Sequence, residues 1–177
     1  YQYTLATYTV TTLADSGAGS LRQAIIDANA NGGADVIQFG VAGTVALDSG
    51  LPSISDQLTI DATTAPGYAG APVVTLDGTI AGSTNGLEFL AGSDGSTLRG
   101  LAVTNFNGVG VLLTGSGGHS IVGNYIGTDG TTNQGNGSWG LEITNSANNT
   151  IGGTNAADRN VISGNGYTNT VGGITLW

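Results

Sequence analysis

Gly140-Leu141-Glu142-Ile143-Thr144 decides the fold, because it is one copy of a phrase that the chain writes four times. The others are Gly86-Leu87-Glu88-Phe89-Leu90, Gly110-Val111-Leu112-Leu113-Thr114 and Gly173-Ile174-Thr175-Leu176. A second phrase interleaves with it as Thr97-Leu98-Arg99-Gly100, Ser120-Ile121-Val122-Gly123 and Thr150-Ile151-Gly152-Gly153. Short apolar β-formers recurring once per ~20–30 residues, separated by Gly and Asn, mark a chain that stacks strand on strand. The pattern predicts an all-β chain, a right-handed parallel β-helix (β-solenoid) with one short N-terminal capping α-helix. At ~4.8 Å per strand the chain would make roughly six or seven coils, a rod of ~30–35 Å. A β-sandwich also has short strands and frequent turns, but its strands need not resemble one another at a fixed period.

Outward from the repeats, three stretches are expected. Residues 1–12 form an N-terminal strand or extension, 13–35 a capping-helix region, and 36–177 the coils. Tyr1 to Val10 alternates weakly and reads as a strand outside the repeat, with Tyr1, Tyr3 and Leu5 on one side. Ser20 to Asn31 predicts the helix: Ser20 and Gln23 suit a capping box, and Leu21, Ala24, Ile25 and Ala28 share a face. Asn31-Gly32-Gly33 is expected to stop it in left-handed conformations. Such a helix would cover the apolar cross-section of the first coil. Further strands are expected at Val36–Phe39, Thr44–Leu47, Leu58–Ile60 and Val73–Leu76, with bends at Asp61 and Asp77. Thr128 to Gly137 reads as an insertion between repeats.

Composition narrows the function. The chain has 177 residues, 12 acidic groups against 3 basic ones, and a net charge of −9. Lys is absent, so the clustered cations that nucleic acid requires are missing, and an anionic membrane surface is equally disfavoured. No run of ~18 apolar residues is present, so no membrane span is expected. A polar, Lys-free chain opening at Tyr1 is expected to be extracellular or at the cell surface, its leader peptide removed.

The segment Leu13 to Ile26, carrying Gly19-Ser20-Leu21-Arg22-Gln23-Ala24-Ile25, resembles the start of large bacterial surface proteins with right-handed parallel β-helices. In that family a Ser-Leu-Arg-(Glu/Gln)-Ala-Ile helix, often preceded by Cys, caps the first coil; here Ala18-Gly19 stands before the Ser. Leu58-Thr59-Ile60-Asp61, Pro66-Gly67-Tyr68, Leu76-Asp77-Gly78, Asn124 to Asp129 and Asn148 to Gly166 are similar to its following coils. The resemblance covers nearly all of the chain after residue 10. It implies a secreted or surface-displayed β-helix and no settled activity, because fold is not function.

The same architecture houses pectin-degrading enzymes, so catalytic groups matter. Arg22 belongs to the helix, and Arg99 and Arg159 are expected to pair with nearby Asp94 or Asp158. His119, in Gly117-Gly118-His119-Ser120, is expected to be a solvated turn residue. Glu88 and Glu142 hold equivalent positions two coils apart, ~10 Å, which is wide for an acid/base pair. Asp129, Asn133 and Asn136, or Asp94, offer oxygen ligands suited to calcium but match no established loop pattern. Asn136-Gly137-Ser138 and Asn148-Asn149-Thr150 match the glycosylation acceptor pattern. No catalytic residue, metal or cofactor is therefore assigned.

Three readings stay open: a rigid structural rod, a carbohydrate-binding or adhesive module, and a polysaccharide lyase or hydrolase. The rod is expected to assemble head-to-tail with further copies of itself, with a surface polysaccharide as the other candidate partner. Its expected interface joins Tyr1, Tyr3, Leu5, Tyr8 and Val10 to Ile174, Leu176 and Trp177, since an uncapped coil would offer unpaired amides and apolar side chains. Truncation of a longer protein is the competing explanation for such an end.

Overall fold

A computed structural model describes residues 4–166 and 172–177. Its strands are β1 (Thr7–Val10), β2 (Asp35–Phe39), β3 (Gly43–Ala46), β4 (Leu58–Asp61) and β5 (Val74–Asp77). They continue as β6 (Leu87–Phe89), β7 (Thr97–Arg99), β8 (Leu101–Thr104), β9 (Val111–Thr114) and β10 (Ser120–Val122). The last five are β11 (Tyr125–Ile126), β12 (Leu141–Thr144), β13 (Thr150–Ile151), β14 (Val161–Ile162) and β15 (Ile174–Leu176). One helix, α1 (Leu21–Ala30), lies between β1 and β2.

The strands make three parallel sheets. The first has the order β1-β2-β4-β7-β10-β13, the second β14-β11-β8-β5-β3, and the third β15-β12-β9-β6. From β4 onward, successive strands visit the first, second and third sheets in rotation. Ile54, bridged to Phe89, takes the third-sheet place in the preceding cycle. The repeated phrases are the registers of two sheets. Leu87, Val111, Leu141 and Ile174 are successive partners in the third sheet. Thr97, Ser120 and Thr150 are successive partners in the first. Strands of two to five residues are too short to persist alone, and their parallel neighbours supply the missing hydrogen bonds.

Alternation along each strand aims one face inward. Leu87, Phe89, Val111, Leu113 and Leu141 are buried from the third sheet, joined by Ile37, Ile60, Leu98 and Ile121 from the first and Val45, Leu76, Val103 and Ile126 from the second. Ile151 and Ile162, which pair with the buried Ile121 and Ile126, are only half-buried. They sit on β13 and β14, which are terminal in their sheets among the described residues and so receive packing from one side.

The helix forms where the capping signal predicted. The Ser20 hydroxyl accepts a hydrogen bond from the Gln23 amide, and Leu21, Ala24, Ile25 and Ala28 are buried. Two details differ. The Gln23 side chain donates to the Asp27 carboxylate instead of completing the capping box. Asn31 ends the helix in extended conformation, and the left-handed residue is Gly33. A further correction concerns β1, which stands inside the pattern: it pairs with β2 from Thr7 to Val10 as the first strand of the first sheet.

Corner chemistry repeats as the strands do. Asp61, Asp77 and Asp129 each accept hydrogen bonds from the backbone and hydroxyl of a Thr two residues on. Buried and half-buried asparagines link one cycle to the next. Asn124 Oδ1 accepts from the Leu101 amide and its Nδ2 donates to the Leu98 carbonyl, while Asn160 repeats the pattern on the Asn124 amide and the Ile121 carbonyl. Asn136 and Asn165 form a second such pair at the corner beyond β8 and β11. These bonds satisfy backbone groups that leave the strand ladders at the corners.

Candidate functional site

The residues expected to mediate assembly fall into three groups. Tyr1 and Tyr3 lie outside the described residues. Val10 is wholly buried, and Tyr8 donates its hydroxyl hydrogen bond to the Asp27 carbonyl of α1, so both belong to the packing of the first strand. Leu5, Ile174, Leu176 and Trp177 are exposed, at 69%, 44%, 72% and 75%.

The one Ser–His arrangement is internal. His119 is 1% exposed, its Nε2 lies 2.9 Å from the Ser116 hydroxyl, and Ser116 lies 3.0 Å from the Ser93 hydroxyl. The imidazole stands 5.4 Å from the Phe89 ring, centroid to centroid. This corrects the expectation of a solvated turn histidine: alignment of Ser120 with Thr97 carries residue 119 over the preceding cycle and into the core. Burial pushes the imidazole below its ordinary value, with the Asp94 carboxylate pulling the other way. All three side chains are buried, so no substrate reaches them, and Nδ1 has no protein partner to orient it.

Several carboxylates are committed to local hydrogen bonds. Glu88 and Glu142 face away from the core on either side of Leu112 in the third sheet. Glu88 accepts from the Ser53 hydroxyl and the Asn85 amide. Asp129 accepts from Thr131, Thr132 and Gln134, and donors on both oxygens hold it well below the usual carboxylate range. Asn136, considered above as a calcium ligand and glycan acceptor, is buried with its amide bonded to Val103 and Asn165. Among the described residues no three His, Cys, Asp or Glu side chains converge on a common point.

One surface gathers unlike groups. Between the first and second sheets, β7 passes to β8 through Gly100 alone and β10 passes to β11 through Gly123-Asn124. The cycles before and after make wider excursions there, carrying the short 3-10 turns Ala62–Thr64 and Ala156–Asp158. The result is a trough of about 240 Å³ whose floor is Arg99, Val122 and Gly123, with Thr63 and Tyr68 on one bank and Ala157 and Asp158 on the other. The tight corners need left-handed glycine: Gly100 has φ +77 and a Cβ there would lie 2.8 Å from the Thr63 amide nitrogen. Gly123 has φ +66, and its Cβ would stand 2.7 Å from the Ala157 carbonyl.

Arg99 is paired with Asp61, its partner across the first sheet, and not with Asp94 or Asp158 as expected. Burial raises the Asp61 carboxyl, but the Arg99 guanidinium and the Thr63 donors outweigh it and hold it below its ordinary value. Burial and the Asp61 carboxylate together raise the Tyr68 phenol, opposed by Arg99. Arg159 makes no ion pair among the described residues. Arg22 lies on the helix as expected, pairs with Asp15 and donates to the Ser49 and Gly50 carbonyls.

The trough was not found from the sequence. Its signal was present in the lengths: the intervals after Asp61 and after Ile151 are long, while the two corners between them are one and two residues, each opening on glycine. No protein-family model matches the chain, and the search of curated proteins finds no match.

Proposed function

We propose that the three parallel sheets close into a right-handed parallel β-helix and that the chain serves as a non-enzymatic, rigid rod outside the cell. The observation that carries this reading is how the polar side chains are used. Asn124, Asn136, Asn160 and Asn165 join successive cycles through their side-chain amides, and Asp61, Asp77 and Asp129 hold corners. Groups spent in this way stiffen the long axis and, among the described residues, leave no accessible nucleophile with a base beside it.

Association with a second copy is part of the reading. Among the described residues β13, β14 and β15 are each paired along one edge, and Ile174, Leu176 and Trp177 present apolar surface beside them. Strand addition there would join two different surfaces and propagate head-to-tail unless its rotation closes a ring. Light scattering on the purified chain tests this, with Leu176→Asp and Trp177→Asp as variants that leave the core intact. Mass growing with concentration, and abolished by either variant, is expected; a monomer at every concentration overturns the association. Release of products from pectin or polygalacturonate, with or without calcium, overturns the non-enzymatic reading.

A further inference from the structure

We propose that the trough beside Tyr68 and Arg99 is a binding site for a single neutral pyranose ring of a glycan. The inference goes beyond the rod reading and does not depend on it. Its basis is the combination of shape and chemistry at one corner. Loop lengths build the concavity: two wide excursions flank two glycine corners, so the depression belongs to the backbone path and needs no side chain to open it. Its volume of about 240 Å³ lies below the ~300–1,000 Å³ of sites for drug-sized ligands, which suits one sugar ring.

The lining excludes the other ligand classes in turn. A purely apolar molecule would strip water from Arg99 and Asp158 without replacing their hydrogen bonds. An anion meets an arginine whose charge Asp61 already neutralises, a second carboxylate at Asp158, and a chain of net charge −9. A metal cation finds the single carboxylate of Asp158 where it needs about six or more oxygen ligands, because Asp61 is held by Arg99. What fits is an uncharged ring with an apolar face and a polar rim. The Tyr68 ring offers a surface for the C–H face of a pyranose. Arg99 uses one terminal nitrogen on Asp61, and its other N–H groups have no partner among the described residues. Asp158 Oδ2 is occupied by the Asn155 amides, while Oδ1 accepts nothing among the described residues. A donor on the floor and an acceptor on the bank facing the aromatic ring suit vicinal hydroxyls, which both give and take hydrogen bonds.

A single-ring site of this size binds in the millimolar range. The test is amide chemical-shift titration of the whole chain with methyl β-D-glucopyranoside, methyl α-D-mannopyranoside and methyl β-D-galactopyranoside, and with sodium D-galacturonate as the charged comparison. At least one neutral glycoside is expected to move the Gly100 and Gly123 amides with a Kd of about 1–10 mM. Tyr68→Ala and Arg99→Gln should each weaken it about tenfold or more, and Tyr68→Phe, which keeps the ring, by less than about threefold. Ala157→Trp fills the trough from an exposed position and should abolish the shifts, which keeps the test decisive if Tyr68→Ala disturbs the fold. No shift at those amides with any neutral glycoside at about 50 mM, a range that would detect even weak millimolar binding, overturns the proposal. So do tighter binding of galacturonate and unchanged binding by Ala157→Trp.

Discussion

Replacing Asn136 by Ala tests whether the buried asparagines hold the cycles together. The Asn136 Oδ1 accepts from the Phe106 amide at 3.1 Å, and Nδ2 donates to the Val103 carbonyl at 3.1 Å and to Asn165 Oδ1 at 2.9 Å. Truncation to Ala leaves the partners unequally affected. Val103 O keeps a bond from the Gly127 amide, and Asn165 Oδ1 keeps the Asn136 main-chain amide, so both remain satisfied. The Phe106 N–H is the group left without an acceptor in the interior, at a cost of about 1–3 kcal/mol. The two lost side-chain bonds add about 0.5–1.5 kcal/mol each, so the expected loss is about 2–6 kcal/mol. With a urea slope of about 2 kcal/mol/M, the unfolding midpoint should fall by about 1–3 M. Asn136→Asp should be worse than Ala, because it turns a donor into an ionised acceptor facing two oxygens in a dry site. Asn107→Ala removes one exposed bond to the Gly82 carbonyl and should cost under about 1 kcal/mol. Urea unfolding followed by far-ultraviolet circular dichroism gives all three values. The reasoning is refuted if Asn136→Ala lies within about 1 kcal/mol of the parent, below the cost of one orphaned amide, or if Asn136→Asp is no worse than Asn107→Ala.

Acid should weaken the chain partly through His119. Burial lowers its folded-state value from the ordinary 6.5, against a smaller pull from Asp94, so its contribution is complete above about pH 6.5 and is lost as pH falls through the folded value. Imidazole titration by NMR should show a midpoint below 6.5, and the stability difference between the parent and His119→Gln should shrink from pH 7 to pH 5. For Asp61 the lowered value means a contribution present above its ordinary 3.8 and lost as pH falls further. Arg99→Met should raise the Asp61 titration midpoint, read from its carboxyl carbon shift; an unchanged midpoint would show that the Thr63 donors alone hold it.

The strand registers were legible in the chain because identical positions of a stacked repeat meet identical neighbours. Gly86, Gly110, Gly140 and Gly173 open segments whose following residues become partners in one sheet. The helix was legible for a local reason, since a Ser20 cap and an apolar face act within a few residues of one another. Position within the stack was not legible. His119 looks like a turn residue, and only alignment over Phe89 makes it a core side chain. Asn136 looks like a glycan acceptor beside Gly137-Ser138, and only the adjoining cycle reveals the Phe106 amide that it must satisfy. Arg99 chooses Asp61 over the nearer-in-sequence Asp94 because the first sheet sets residues 61 and 99 side by side. The sequence by itself determined the period, the parity of each strand and the helix, all of which depend on neighbours along the chain. The tertiary structure alone decided which polar groups share a corner and which excursions face each other across a glycine floor, because those contacts join residues 23 to 39 positions apart.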